Sequence, residues 1–265
     1  MKKAYKFRLY PNEEQKEYFA KCFGCSRFIY NQMLEDKINY YKETKEMLKN
    51  TPAQYKKAYP WLKEVDSLAL ANAQLNLEKA YKNFFKDKSM GFPKFKSRRG
   101  KQSYITNNQN GTIYIENGYI KLPKLKSKVK IIKHREFESE IKSCTISKTR
   151  TNKYYISIFV EENIKLLPKI DKKVGIDLGV KDFAITSDGE IYENPKWLRK
   201  SEKRLKKLQK DLSRKKKGSR NREKAKLKLA KQHEKIANQR KDYLHKLSSK
   251  IINENQVIVL EDLKV

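Results

Sequence analysis

Two carboxylates carry the strongest chemical signal in this sequence. Asp177 lies in Gly175-Ile176-Asp177-Leu178-Gly179, where Val174, Ile176, Leu178 and Val180 alternate with Gly175, Asp177 and Gly179. That period of two predicts a strand with one apolar face and a lone carboxylate on the other, and glycines on either side let a charged ligand come close. The second is Glu261, directly after the apolar run Val257-Ile258-Val259-Leu260, a pattern typical of a strand buried on both faces. If the two strands lie side by side, Asp177 and Glu261 converge. Hard divalent cations such as Mg²⁺ take oxygen ligands and bridge carboxylates to phosphates, so the pair would suit phosphodiester chemistry. The plainer reading of Asp177 by itself is a turn residue at a strand end.

Cations supply the second signal. Lys94, Lys96, Arg98, Arg99 and Lys101 interleave with Phe92 and Phe95, so that aromatics could stack on bases while the cations take phosphates. A second cluster, Arg214, Lys215, Lys216, Lys217, Arg220 and Arg222, surrounds Gly218. The plainer readings are a solvated basic linker and a charged tip that keeps a helix soluble. The whole chain, however, sets 63 Lys+Arg against 31 Asp+Glu, a net charge of +32. A chain this basic repels itself unless a polyanion neutralises it, which points to nucleic acid.

Other partners fit less well. No apolar stretch approaches the roughly 20 residues that span a bilayer, and Met1-Lys2-Lys3-Ala4-Tyr5 lacks the apolar core of a signal peptide, so no membrane role is expected. Three cysteines do not make a disulfide framework, which makes a reducing cytoplasm the simplest setting. Cys22 and Cys25 form one Cys-x-x-Cys with no second pair and no histidine nearby, so zinc is not expected and a structural role is.

The elements that would position these residues predict an α+β, multidomain chain. Tyr5, Phe7 and Leu9 alternate with Lys6, Arg8 and Tyr10, giving an opening strand in residues 1–11. Residues 12–88 read as a helical domain: Asn12 and Gln15 form a capping box, and Phe19 and Phe23 continue an apolar stripe. Gly24 marks a break before a second helix, and a third starts at Ser67 with Leu68, Ala71, Leu75 and Tyr81. Phe19, Phe23, Phe84 and Phe85 are expected in the core. Residues 89–168 hold the basic loop and then short strands at 112–115, 119–122, 129–132, 141–147 and 154–161, a small antiparallel β-barrel that the opening strand completes. The helices are thus inserted into a β-domain. Residues 169–265 carry the Asp177 strand in an antiparallel meander turning at Asp188-Gly189, then two long helices as an antiparallel pair with a basic tip.

The order of these pieces resembles the TnpB family, transposon-encoded relatives of type V CRISPR effectors also known as OrfB-type transposases. The matching residues are Tyr5-Lys6-Phe7-Arg8-Leu9-Tyr10-Pro11, Cys25-Ser26-Arg27-Phe28-Ile29-Tyr30-Asn31, Phe92-Pro93-Lys94-Phe95-Lys96-Ser97, Gly175-Ile176-Asp177-Leu178-Gly179-Val180-Lys181 and Val259-Leu260-Glu261-Asp262-Leu263. The resemblance implies a helical recognition lobe, a wedge-like β-barrel and a RuvC-type nuclease domain with an RNase H-like core. It implies an RNA-guided DNA endonuclease in which a transposon-derived guide RNA pairs with target DNA. Asp177 matches the family's first catalytic Asp and Glu261 its catalytic Glu, both ligands of a two-ion Mg²⁺ site. Family members continue into a four-cysteine zinc ribbon and a segment with a third catalytic Asp. This sequence stops at Val265, so a truncated copy with a partial RuvC-like domain and an incomplete metal site is expected. The alternative function is a cleavage-deficient RNA- and DNA-binding protein, acting as a guided repressor or transposition regulator. Gly-Ile-Asp-Leu-Gly also resembles the first phosphate loop of actin-like and Hsp70-like ATPases, but Val180 stands where that family has Thr.

Overall fold

The alternation of the opening strand is what the barrel is built on. In the computed structural model, which describes residues 1–163 and 167–261, strand β1 (Lys2–Tyr10) buries Tyr5, Phe7 and Leu9 and turns Lys6, Arg8 and Tyr10 to the other face. Pro11 has no amide hydrogen to continue the ladder. Asn12 then starts α1 (Glu13–Thr44) with a reciprocal cap, its Oδ1 accepting from Gln15 N at 2.9 Å while Gln15 Oε1 accepts from Asn12 N at 3.0 Å.

α1 runs unbroken through Gly24, contrary to the expected break. A glycine costs a helix about 1 kcal/mol relative to alanine, and the burial of Phe19, Cys22, Phe23, Cys25 and Ile29 on both sides of it outweighs that. After α2 (Pro52–Ala58) and a 3-10 turn at Pro60–Glu64, α3 (Ser67–Lys86) packs on α1, capped by Asp66. Its buried stripe is Ala69, Leu70, Ala73, Leu77 and Tyr81, one face round from the expected one, and Leu75 is exposed. Phe19 and Phe23 are core residues, but Phe84 is only half-buried and Phe85 is exposed. The buried stripe has already ended at Tyr81.

Strands β2 (Gln102–Asn107), β3 (Tyr114–Glu116), β4 (Tyr119–Lys121), β5 (Val129–Ile132), β6 (Ile141–Lys148) and β7 (Tyr154–Glu161) join β1 in one antiparallel sheet, order β2-β6-β7-β1-β5-β4-β3. The expected barrel takes the form of a curled half-barrel, with the helices inserted after β1. β2 was not expected, because its inward residues, Tyr104 and Thr106, do not make an apolar alternation. The Thr106 hydroxyl is satisfied by donating to the buried Asp66 carboxylate, which lets a polar residue sit in the core. α1 packs on this inner face, with Phe19 5.8 Å from the Tyr154 ring. This unit is Met1–Ile164.

The second unit, Lys165–Val265, holds β8 (Lys173–Leu178), β9 (Asp182–Thr186), β10 (Ile191–Glu193), α4 (Trp197–Ser213), α5 (Arg220–Glu254) and β11 (Val257–Leu260). β8, β9 and β10 form the antiparallel meander, turning at Gly189 with φ +83°, and β11 lies parallel to β8 at the opposite edge, order β10-β9-β8-β11. Val174, Ile176 and Ala184 make a small core that Phe183, Tyr192, Ile251 and Ile258 cover. α5 is tied to the sheet: Tyr243 donates to Glu193 O at 2.7 Å, its ring lies edge-on to Phe183 and Trp197, and Lys250 pairs with Glu190 at 3.2 Å. Among the described residues no helix is long and apolar enough to cross a membrane.

Candidate functional site

Asp177 is the fifth residue of β8 and is exposed. Residues paired across a parallel ladder share a face, and here Val257 pairs with Lys173, Ile258 with Val174, Val259 with Gly175 and Leu260 with Ile176. Glu261, exposed and directly after β11, is therefore the next position in register, level with Asp177. Ile176 and Ile258 point into the core, so the carboxylates belong to the opposite face, alongside Val259 and Ile185. That face is open: Val259 is 61% exposed and Ile185 40%.

This openness corrects two expectations. β11 is an edge strand with one covered face, because Val257, Val259 and Leu260 are all exposed and Ile258 alone is packed. The apolar alternation of β8 is likewise buried only at Val174 and Ile176; Leu178 and Val180 are exposed. The glycines also serve the fold. A Cβ on Gly179 would stand 2.8 Å from Asp182 O, so its hydrogen serves the turn into β9, while Gly175 lies against Ser187, whose Oγ accepts from its N–H at 3.1 Å.

Two carboxylates on one open face match in kind and number what Mg²⁺ takes from a protein when water and phosphate complete its shell. Among the described residues no three or more His, Cys, Asp or Glu gather into a fuller metal site. Cys22, Cys25 and Cys144 are unpaired and buried, and burial pushes the Cys22 thiol up to about 12, so these cysteines are packing residues.

Of the basic loop, Lys94, Lys96, Arg98, Arg99 and Lys101 all keep exposed surface. Lys96 is held. Its backbone N donates to Asn31 Oδ1 at 2.8 Å, its carbonyl accepts from Asn31 Nδ2 at 2.9 Å, and its ammonium sits 3.7 Å from the centre of the Tyr30 ring, where burial lowers its pKa. The loop is therefore clipped to α1.

At the helical tip, Arg214, Lys215, Lys216, Lys217 and Arg220 are exposed around Gly218, which has φ +83°. Arg222 is turned inward: its Nη1 donates to Leu212 O, which also accepts from Lys215 N, at 2.9 Å and to Lys215 O at 2.8 Å, bracing the chain where α4 ends. A further cationic strip lies on the outer face of the half-barrel, where Lys6 and Arg8 stand 4.6 and 5.0 Å from the Tyr155 ring and Arg8 also 5.3 Å from Tyr10. The alternation of Lys6, Arg8 and Tyr10 is its trace in the sequence.

Comparisons with known proteins identify relatives of the chain as a whole. The IS605 OrfB family profile described as "Probable transposase" matches residues 157–265, and the associated "Helix-turn-helix domain" profile matches residues 1–46. A Streptomyces pristinaespiralis protein named "Putative RNA-guided DNA endonuclease" is 35% identical over 274 aligned residues, covering 100% of this chain and 68% of its own length. The Escherichia coli K12 protein "Putative RNA-guided DNA endonuclease InsQ" is 34% identical, covering 99% and 66%. The chain thus spans about two thirds of the length of these relatives. Among solved structures, a chain from the cryo-EM structure of a Cas12f1–sgRNA–target DNA complex aligns with a TM-score of 0.58 at 14% identity, covering 96% of this chain and 66% of that one. That likeness speaks for the fold alone.

Proposed function

We propose, from the premise that this chain belongs to the TnpB family, the OrfB-type transposases of IS605 elements, that it works as a transposon-associated RNA-guided DNA endonuclease. The observation that carries this reading is the parallel register of β8 and β11, one residue short of Asp177 and Glu261. The RNA-guided DNA endonuclease names of its relatives support it.

In this reading Asp177 and Glu261 hold Mg²⁺ through their carboxylate oxygens, in the two-ion arrangement the family resemblance implies. Such an ion supplies an activated water and offsets charge on the scissile phosphate. Lys94, Arg98, Arg99 and Lys101, and separately Arg214, Lys215, Lys216, Lys217 and Arg220, take the phosphates of the guide RNA and target DNA, while base pairing between the two nucleic acids reads the sequence. Lys96 and Arg222 contribute by bracing the loop and the tip. A cytoplasmic setting fits this role.

A second reading, a binding protein that does not cut and acts as a guided repressor or transposition regulator, is favoured by one observation: among the described residues no group of three or more His, Cys, Asp or Glu could hold a metal ion. Plasmid cleavage with a matched guide RNA and Mg²⁺ separates the two. The endonuclease reading expects cutting that Asp177→Ala abolishes. Guide-RNA binding with no cutting by the wild-type chain sinks it and leaves the binding protein.

A further inference from the structure

Four aromatic side chains gather where α3 ends and the basic loop begins. Tyr81 and Phe85, one helical turn apart, stack with centroids 6.1 Å apart and 19° between their planes. Phe92 meets Tyr81 edge-on at 5.5 Å and Phe84 at 5.4 Å, and Phe84 touches Phe85 at 5.4 Å. Tyr81 is the buried member and belongs to the main core. Phe85 is 63% exposed and Phe92 44%, so a cluster anchored in the core presents aromatic surface to water. Single exposed apolar residues are ordinary on a protein surface, but contiguous ones mark a place of contact.

The setting of the rings says what kind of contact. From Lys82 to Lys101 the sequence has eight lysines and arginines and a single carboxylate, Asp87. Asp87 is turned onto the backbone, accepting from Ser89 N at 2.9 Å, a bond that with the Ser89 hydroxyl holds its pKa low. Lys82, Lys86, Lys88 and Lys94 are exposed, and none of their ammonium groups has a hydrogen-bond or ion-pair partner among the described residues. The cluster is also braced, because the Asn31 clip and the Tyr30 ring hold the loop at Lys96, four residues beyond Phe92.

We propose that Phe85 and Phe92 form a stacking platform for unpaired nucleobases, with the surrounding lysines on the phosphates. The inference rests on the nucleic-acid reading above and assigns one surface of it to single-stranded segments. Every base has a π-face, so an open phenyl ring can stack without reading sequence, and cations around it hold the backbone that carries the base. A duplex keeps its bases stacked on each other and offers no such faces along its length. A neutral apolar protein partner would leave the lysines facing it without countercharge.

The test is fluorescence anisotropy of the full chain with a labelled oligouridylate and with a blunt RNA duplex of equal length, over a salt series. Phe85→Ala is expected to weaken oligouridylate binding about tenfold, with the salt slope and duplex binding unchanged. Phe85→Leu, which keeps apolar bulk and loses the ring, is expected to do the same. Lys94→Gln is expected to lower the salt slope by about one on both ligands. Thermal melts confirm that each variant folds. If Phe85→Ala and Phe92→Leu leave oligouridylate affinity unchanged while Lys94→Gln reduces it, the platform is refuted and the nucleic-acid reading stands. A wild-type chain that binds neither RNA overturns both. A change in sedimentation mass on Phe85→Ala with RNA affinity intact assigns the patch to protein contact and also overturns the proposal.

Discussion

Asn31 grips Lys96 by both edges of its amide, accepting from the backbone N at 2.8 Å and donating to the backbone O at 2.9 Å, and so ties α1 to a loop 65 residues away. Asn31→Ala removes both bonds and is expected to cost about 1–2 kcal/mol. Hydrogen exchange should show lost protection at the Lys96 amide with the α1 core unaffected. Asn31→Asp keeps only the acceptor and should fall between; equal protection in all three proteins would mean that the clip does not hold the loop.

Arg222 and Lys216 belong to the same cationic tip but act differently. Arg222→Ala removes the Arg222 donor from Lys215 O and leaves Leu212 O with only the Lys215 N–H, and is expected to destabilise the hairpin by about 1–3 kcal/mol, read as a lower urea midpoint. Lys216→Gln should keep the midpoint within about 0.5 kcal/mol and reduce the salt slope of RNA binding by about one. A common effect of both variants on the midpoint would contradict this division.

The two faces of β11 make opposite forecasts. Ile258 packs on Val174 and Ile176, so Ile258→Ala is expected to cost about 1–2 kcal/mol. Val259 is on the open face, and Val259→Thr should change stability by less than about 0.5 kcal/mol. Chemical denaturation of the two variants decides it, and similar losses would place both faces in a core.

Alkaline pH should loosen the helical core. Burial is the largest cause that pushes Cys22 from 9.0 up to about 12 and Cys25 up to about 11; for Cys22 the Tyr18 hydroxyl pulls the other way, and for Cys25 the Glu64 charge adds to the rise. Folded pKa values above the unfolded one mean that the stability linked to these thiols is complete below about pH 9 and drains away as pH climbs through 11 to 12. Tyr18 and Tyr104, both raised by burial, act in the same direction. Urea midpoints at about pH 8 and about pH 10.5 should differ more in the wild type than in Cys22→Ala. An identical pH dependence in the variant would show that the thiol does not titrate with unfolding.

Signals carried by neighbouring residues are more legible in the sequence than burial, which distant partners set. The Asn12–Gln15 cap, the turn at Asp188-Gly189 and the alternation of β1 each depend on residues a few positions apart, and all are present. Asp177 and Glu261 could be paired because strand patterns end in them. The charge runs announced two basic clusters, but which cation the backbone would recruit depends on distant partners, Asn31 and Tyr30 for Lys96 and the end of α4 for Arg222. Burial failed for the same reason: an apolar run such as Val257-Ile258-Val259-Leu260 states that a strand can be covered on both faces, and only the neighbours determine whether it is. Phe85 did have a usable signal. Phe84 and Phe85 are adjacent on a helix, about 100° apart, so a narrow buried stripe cannot take both.

β1 pairs with β7 from Lys2↔Glu161 to Leu9↔Tyr154 and with β5 on its other side, which makes a strand synthesised before all its sheet partners the middle strand of the large sheet. Both of its partners are made long after it, so β1 leaves the ribosome with two bare edges and waits while α1 and α3 can already meet. Closing so long a loop is slow, and an unpaired strand edge is a template for aggregation until then. The birth of this protein therefore has a vulnerable interval, lasting until Glu161 is released, in which basic charge along Lys2, Lys3, Lys6 and Arg8 opposes the joining of one nascent edge to another.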